Sequence, residues 1–109
     1  MPDESIPVTS SVRIPRREVD VVTTTSGGPG GQHANRVATK VELRFDVASS
    51  SALSDAQRRR VIERLGPEIR VSAGDERSRA RNLALAERRL ADRLREALRV
   101  PRSRTPTRP

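Results

Sequence analysis

Residues Ser26 to Lys40 read SGGPGGQHANRVATK, and the chain continues directly into VELRFDV, residues 41–47. Four of the six glycines fall in the first part, at Gly27, Gly28, Gly30 and Gly31, interrupted only by Pro29 and followed at once by Gln32. Proline fixes its own φ and disfavours helical angles in the residue before it, here Gly28. Glycine takes positive φ without steric cost, so Gly28-Pro29-Gly30-Gly31 fits a type II turn with proline second and glycine third. The loop is shaped rather than slack. Beyond it, Val41, Leu43, Phe45 and Val47 alternate with Glu42, Arg44 and Asp46, the clearest period of two in the chain. Such alternation predicts a strand with one buried face.

A second strand-like run, Val19 to Thr25, precedes the loop. A plain hairpin connection is one reading of the segment between them. Hairpin connections usually take about two to five residues, and loops this long are mostly functional or disordered. A phosphate-binding loop would need Gly-Lys-Ser/Thr at its end, but Gly31 is followed by Gln32 and His33. A G-x-G-x-x-G would need glycine where His33 stands. Nucleotide-binding loops are thereby excluded.

The 109 residues bound one domain with no room for a second sizeable core. Phe45 is the sole aromatic residue, so the core must come from Val, Leu, Ile and Ala. The absence of cysteine removes disulfides, zinc-thiolate sites and thiol nucleophiles, and suits a reducing cytoplasm. A single histidine makes a histidine-based metal site or a Ser-His-Asp triad a poor reading. No metal or organic cofactor is implied. No apolar run approaches spanning length and the first residues lack a signal peptide's apolar segment, so no membrane partner is expected.

The net charge of +8 is unevenly placed. Residues 1–76 balance eleven bases against eleven acids, whereas residues 77–109 hold eleven arginines and three acids, and so the whole excess. A polyanion would meet this C-terminal third first, although a solvated basic helix would look the same. Every basic residue but Lys40 is arginine, whose planar fork suits phosphates.

In chain order, residues 1–11 mix Pro, Ser and acids without periodicity and read as a disordered segment. Val12 to Ile14 offers a short strand before Pro15. Ser54 with Gln57 forms a capping-box pattern for a helix over Asp55 to Leu65, stopped by Gly66-Pro67. Ile69, Val71 and Ala73 alternate as another strand, and Gly74-Asp75 leads into the longest helix, about Arg77 to Arg99. Along it Leu83, Ala86, Leu90, Leu94, Ala97 and Leu98 form one apolar face. Residues 12–99 are therefore read as one α+β domain: a small two-layer fold of three to four mostly antiparallel strands packed on two helices, with a long projecting glycine loop. Residues 100–109 read as a short basic Pro/Arg tail.

Gly-Gly-Gln followed by His-x-Asn and an alternating strand ending Leu-Arg-Phe-Asp resembles the catalytic segment of class I peptide chain release factors. The likeness runs from about Ile14 to Pro109, through IPRREVDV upstream and ERSRARNLALAERRL downstream. It is strongest toward the small codon-independent branch, the alternative ribosome-rescue factor B family of peptidyl-tRNA hydrolases and its mitochondrial relatives. The resemblance implies a catalytic Gly30-Gly31-Gln32, shaped by Gly27, Gly28 and Pro29, that enters the peptidyl-transferase centre beside the ester of peptidyl-tRNA. There the backbone N–H of Gln32 would donate to charge developing in the transition state or on the leaving ribose oxygen, while its side chain admits water and excludes larger nucleophiles. The implied partners are the ribosome, through its large-subunit rRNA, and peptidyl-tRNA, with the protein a monomer off the ribosome.

His33 could serve as a base by its ordinary pKa, but the family does not rely on one. His33, Asn35, Arg36 and Lys40 are read as loop supports or RNA contacts. No acid lies between Asp20 and Glu42, which leaves the tip locally positive. Arg77, Arg79 and Arg81, with Arg102, Arg104 and Arg108, complete the expected RNA contacts. Two departures stand out. Relatives commonly begin the last helix with Arg-Ser-Gln, where this chain has Arg77-Ser78-Arg79. The rescue factors also carry a long basic tail, whereas the ten residues after Arg99 reach at most ~36 Å, too short to cross between subunits. No codon recognition is expected, since 109 residues leave no room for a separate decoding domain. The alternative reading is a non-catalytic RNA-binding module that docks through its arginine-rich helix.

Overall fold

The computed structural model describes residues 5–24 and 39–100. Within them lie five strands and two α-helices: β1 (Ser5–Pro7), β2 (Arg13–Pro15), β3 (Val19–Thr24), β4 (Lys40–Asp46), α1 (Asp55–Leu65), β5 (Glu68–Ala73) and α2 (Arg79–Leu98). The strands form two antiparallel sheets, a β1–β2 ribbon and a three-stranded sheet in the order β3-β4-β5.

The alternation in β4 decides the main sheet. Val41, Leu43 and Phe45 are fully buried, whereas Lys40, Glu42 and Arg44 are half-buried on the other face. Their register sets Phe45 between Val19 and Ile69, and Leu43 between Val21 and Val71. Helix α2 covers this apolar face over β4 and β5, and α1 packs against α2. Val21, on the same face of β3, stays 49% exposed because it stands at the uncovered edge. The expected two-layer α+β architecture is the one observed.

Both helices are bounded by local chemistry. At α1 the Ser54 hydroxyl accepts from the Gln57 N–H, and the Gln57 side chain accepts from the Ser54 N–H. Such a cap contributes about 1 kcal/mol. Gly66, at φ 93°, ends the helix as its N–H donates to the Ile62 carbonyl. Helix α2 starts later than periodicity predicts, at Arg79, because the Ser78 hydroxyl caps it by accepting from the Arg81 N–H at 3.2 Å. Ala86, Leu90, Leu94 and Ala97 are buried, and Leu83 and Leu98 lie partly buried at the margins.

The N-terminal expectation is corrected. Residues 5–7 are not disordered but pair with residues 13–15, with Ile6 opposite Ile14. Thr9 makes the turn: its hydroxyl accepts from the N–H groups of Ser11 and Val12, and Val8 N–H donates to Val12 O at 2.9 Å. Ile6, Val8, Val12 and Ile14 then all enter the core, each no more than 3% exposed. Burial of one such side chain is worth about 1.5–3 kcal/mol, enough to order a hairpin whose arms are too short to announce themselves. Arg95 on α2 also donates to the Val8 carbonyl at 2.9 Å. The folded unit thus takes in residues 5–11 as well as the segment from residue 12 onward.

Candidate functional site

The β3–β4 pairing ends at Thr24 opposite Lys40. The connection between them, residues 25–39, therefore starts and finishes at the two sides of the ladder's last rung. The expected loop residues Gly27, Gly28, Pro29, Gly30, Gly31, Gln32, His33, Asn35 and Arg36 lie in it, outside the described residues, as do Arg102, Arg104 and Arg108 in the tail. The described residues are the mount on which the loop is set.

That mount is tied down by a residue that sequence reasoning missed. Asn82, in the first turns of α2, is fully buried. Its Nδ2 donates to the Thr39 carbonyl at 2.6 Å and to the Glu76 carbonyl at 3.1 Å, and its Oδ1 accepts from the Glu76 N–H at 2.9 Å. One side-chain amide thereby joins the C-terminal stem of the loop to the turn before α2. A buried amide is costly unless its donors and acceptor are met, and here they are. The overlooked signal was positional. Asn82 stands four residues before Ala86 and eight before Leu90, on the apolar face, where a polar side chain needs a dedicated partner.

Lys40 sits at the same mouth, half-buried, with its aliphatic stem against Gly74: a Cβ on Gly74 would come within 3.2 Å of the Lys40 Cγ. Arg89 braces the same turn from below, donating to Ser72 O at 2.8 Å and to the Asp75 carboxylate at 3.1 Å. The opposite end of the hairpin is held by Glu18. Its carboxylate accepts from the Ser50 hydroxyl at 2.7 Å, the Ser51 hydroxyl at 2.6 Å and the Ser51 N–H at 3.1 Å. Burial pushes the Glu18 pKa up, but the bonds from Ser51 and Ser50 and the charge of Arg17 outweigh it, so the carboxyl lies below its ordinary value.

Arg77, Arg79 and Arg81 are exposed around the cap of α2, beside the turn that Asn82 holds. Arg81 reaches the Glu76 carboxylate only at 3.9 Å, and Arg77 and Arg79 make no ion pair or side-chain hydrogen bond among the described residues. The first turn of α2 contains no acid. Helix N-termini carry partial positive charge and favour acids, by about 0.3–1 kcal/mol each. Cations gathered there do nothing for the helix and make this corner attractive to anions. The fold brings these three arginines to the loop's stem, which the sequence separates by nearly forty positions. Among the described residues no group of His, Cys, Asp and Glu could hold a metal ion, and no helix is long and apolar enough to cross a membrane.

The chain is similar in sequence to known proteins. The chain is 30% identical over 108 residues to the peptidyl-tRNA hydrolase ArfB of Pseudomonas putida, covering 94% of this chain and 78% of that protein. It is also 31% identical over 100 residues to the large ribosomal subunit protein mL62 of Mus musculus, covering 85% of this chain but only 48% of the mouse protein. The chain thus spans about half the length of one relative and about three quarters of the other. The family profile of the RF-1 domain matches residues 7–108. With that match running from the end of β1 through β2, the loop, the three-stranded sheet and both helices, the chain belongs to the RF-1 domain family and is a release-factor-like domain.

Proposed function

We propose that this chain hydrolyses the ester of peptidyl-tRNA in the peptidyl-transferase centre of stalled ribosomes, without reading a codon. The observation that carries the reading is the mount: a connection bearing Gly30-Gly31-Gln32 leaves the sheet at Thr24, returns at Lys40, and has its stem carbonyl at Thr39 pinned by buried Asn82. A rigid base of this kind holds a reactive segment to the tolerance that chemistry needs. Gln32 contributes its backbone N–H to the developing charge, and Gly30 and Gly31 let RNA and backbone approach. The ribosome supplies the rest of the site. Arg77, Arg79 and Arg81 dock on phosphates beside the loop. The likeness to a protein named as a peptidyl-tRNA hydrolase supports this reading.

The test is release of labelled peptide from ribosomes stalled on mRNA lacking a stop codon. Removing one oxyanion donor typically costs about 10²–10³ in rate, so Gly31→Ala, which disturbs the backbone presenting Gln32, should lower release at least that far while ribosome binding persists. Release that survives in Gly31→Ala would defeat the proposal.

A second reading is favoured by the other relative, whose name makes it a ribosomal protein: a docking module on the large subunit that does no chemistry. It predicts ribosome binding and no release from either form.

A further inference from the structure

Three shallow grooves lie on the surface formed by α1, β5 and the C-terminal half of α2. One of about 740 Å³ opens where α1 and α2 end, one of about 270 Å³ lies along α1, and one of about 400 Å³ lies between α2 and β5. The first two share Arg64, and the first and third share Arg93. Adjacent through these two arginines, they are candidates for one path across this surface. From α1 its walls take Arg59, Arg60 and Arg64, and from α2 they take Arg89 and Arg93, with Arg99 and Arg70 at the margins. Against these seven cations stand three acids, Glu63, Asp92 and Glu96.

The arginines divide by what they do. Arg64 is fixed, donating to the carbonyls of Ala97 at 2.8 Å and Arg99 at 2.9 Å, and so caps α2. Arg89 is fixed on Ser72 and Asp75. Arg59, Arg60 and Arg93 make no side-chain hydrogen bond or ion pair among the described residues. Glu63 and Glu96 stand three or four positions from them without forming ion pairs with them, while Arg60 with Arg64 and Arg89 with Arg93 are like charges one turn apart, which repel. A chain of phosphates laid along the path would neutralise both pairs. The floor, with Leu65, Ala97 and Val100, is apolar. A connected groove with fixed walls and free cationic heads fits an extended polyanion better than a single small anion.

We infer that this path is a second RNA-backbone track, apart from the arginines at the loop. Asn82 and Ala97 are fifteen positions apart on α2, so at 1.5 Å per residue the track's widest part lies about 22 Å from the loop's stem. Two contacts at a set spacing on one rigid helix would orient the loop as well as anchor it. The inference rests on the proposed function only in taking ribosomal RNA as the source of the backbone.

The test uses vacant 70S ribosomes as the probe and binding measured across a KCl series. Each lost phosphate contact lowers the slope of log affinity against log salt by about 0.7–0.9. The Arg60→Ala/Arg93→Ala double variant should therefore lose about 1.4–1.8 from the slope and bind more weakly, with a melting temperature that does not fall, because neither side chain is bonded in the fold and each repels an arginine one turn away. Since the chain has no cysteine, Ala56→Cys on the wall of the α1 groove gives a single attachment point for an iron chelate, which should cleave rRNA locally on the ribosome. Unaltered affinity and slope would overturn the track. So would weaker binding without rRNA cleavage, which would assign the path to an acidic protein surface. Gly31→Ala reports separately: if it fails to abolish release, the proposed chemistry falls while slope and cleavage still decide the track.

Discussion

Replacing Asn82 by alanine should loosen the loop's stem before it unfolds the domain. The side chain is fully buried and makes three hydrogen bonds, at 2.6, 2.9 and 3.1 Å. At about 1 kcal/mol net for each such bond, Asn82→Ala should cost about 3 kcal/mol. That lowers the melting temperature by about 10–15 °C in a domain of this size and leaves a folded population if the starting stability lies in the ordinary range of about 5–15 kcal/mol. The loss falls on Thr39 O, Glu76 O and Glu76 N–H, all at the root of residues 25–39. A misplacement near 1 Å in a reacting group can cost about 10²-fold, so peptide release per folded molecule should drop by one to two orders of magnitude. Leu90→Ala is the control: it opens a cavity in the same helix, costs about 2–5 kcal/mol, and touches nothing at the loop. Thermal unfolding and release from stalled ribosomes, measured on both, separate the cases. Equal release per folded molecule in the two variants would refute the positioning role, and a loss of stability under about 1 kcal/mol would refute the hydrogen-bond accounting.

Glu18 has a lowered pKa in the folded state, so the stability it confers is present above its unfolded value and is lost as pH falls through the folded one. Acid titration of the unfolding midpoint should therefore show a decline below about pH 4.5 that is smaller in Glu18→Gln; identical titrations would contradict this. Gly66→Ala places a side chain at φ 93°, ψ 173° with open space around it, so the cost should be backbone strain of about 1–3 kcal/mol, read as a fall in denaturant midpoint. A neutral result would mean the helix end relaxes.

Much of the architecture was legible because its signals are local. The period of two from Val41 to Val47 reports one strand meeting one apolar layer, and needs no knowledge of what forms that layer. Ser54, Gln57 and Gly66 bound α1 through contacts spanning only a few residues, so its limits could be read directly. The start of α2 was misjudged by two residues because Ser78, among arginines, competes with Arg77 for the boundary, and only the observed bond to the Arg81 N–H decides it. The short strand expected at Val12 to Ile14 overlaps β2, but β1 and the pairing that makes a ribbon of the two were not legible, for a different reason. The ribbon's arms of three residues are too short to show a period, and they are held by burial of Ile6 and Ile14 under elements far along the chain.

For the site the division is similar. The amino-acid sequence alone determined the glycine-rich loop, the strands on either side of it, and the concentration of positive charge in the last third, since each is a matter of residue type and near neighbours. Tertiary structure alone decided that Asn82 holds Thr39 across more than forty residues, that Arg77 to Arg81 stand beside the loop's stem, and that arginines from α1, β5 and α2 line adjacent grooves. Those facts depend on which surfaces meet when α2 lies down on β4 and β5. That meeting is driven by burial of apolar area, which is non-directional, and so the polar side chains it brings together carry no mark of their partners in the linear chain.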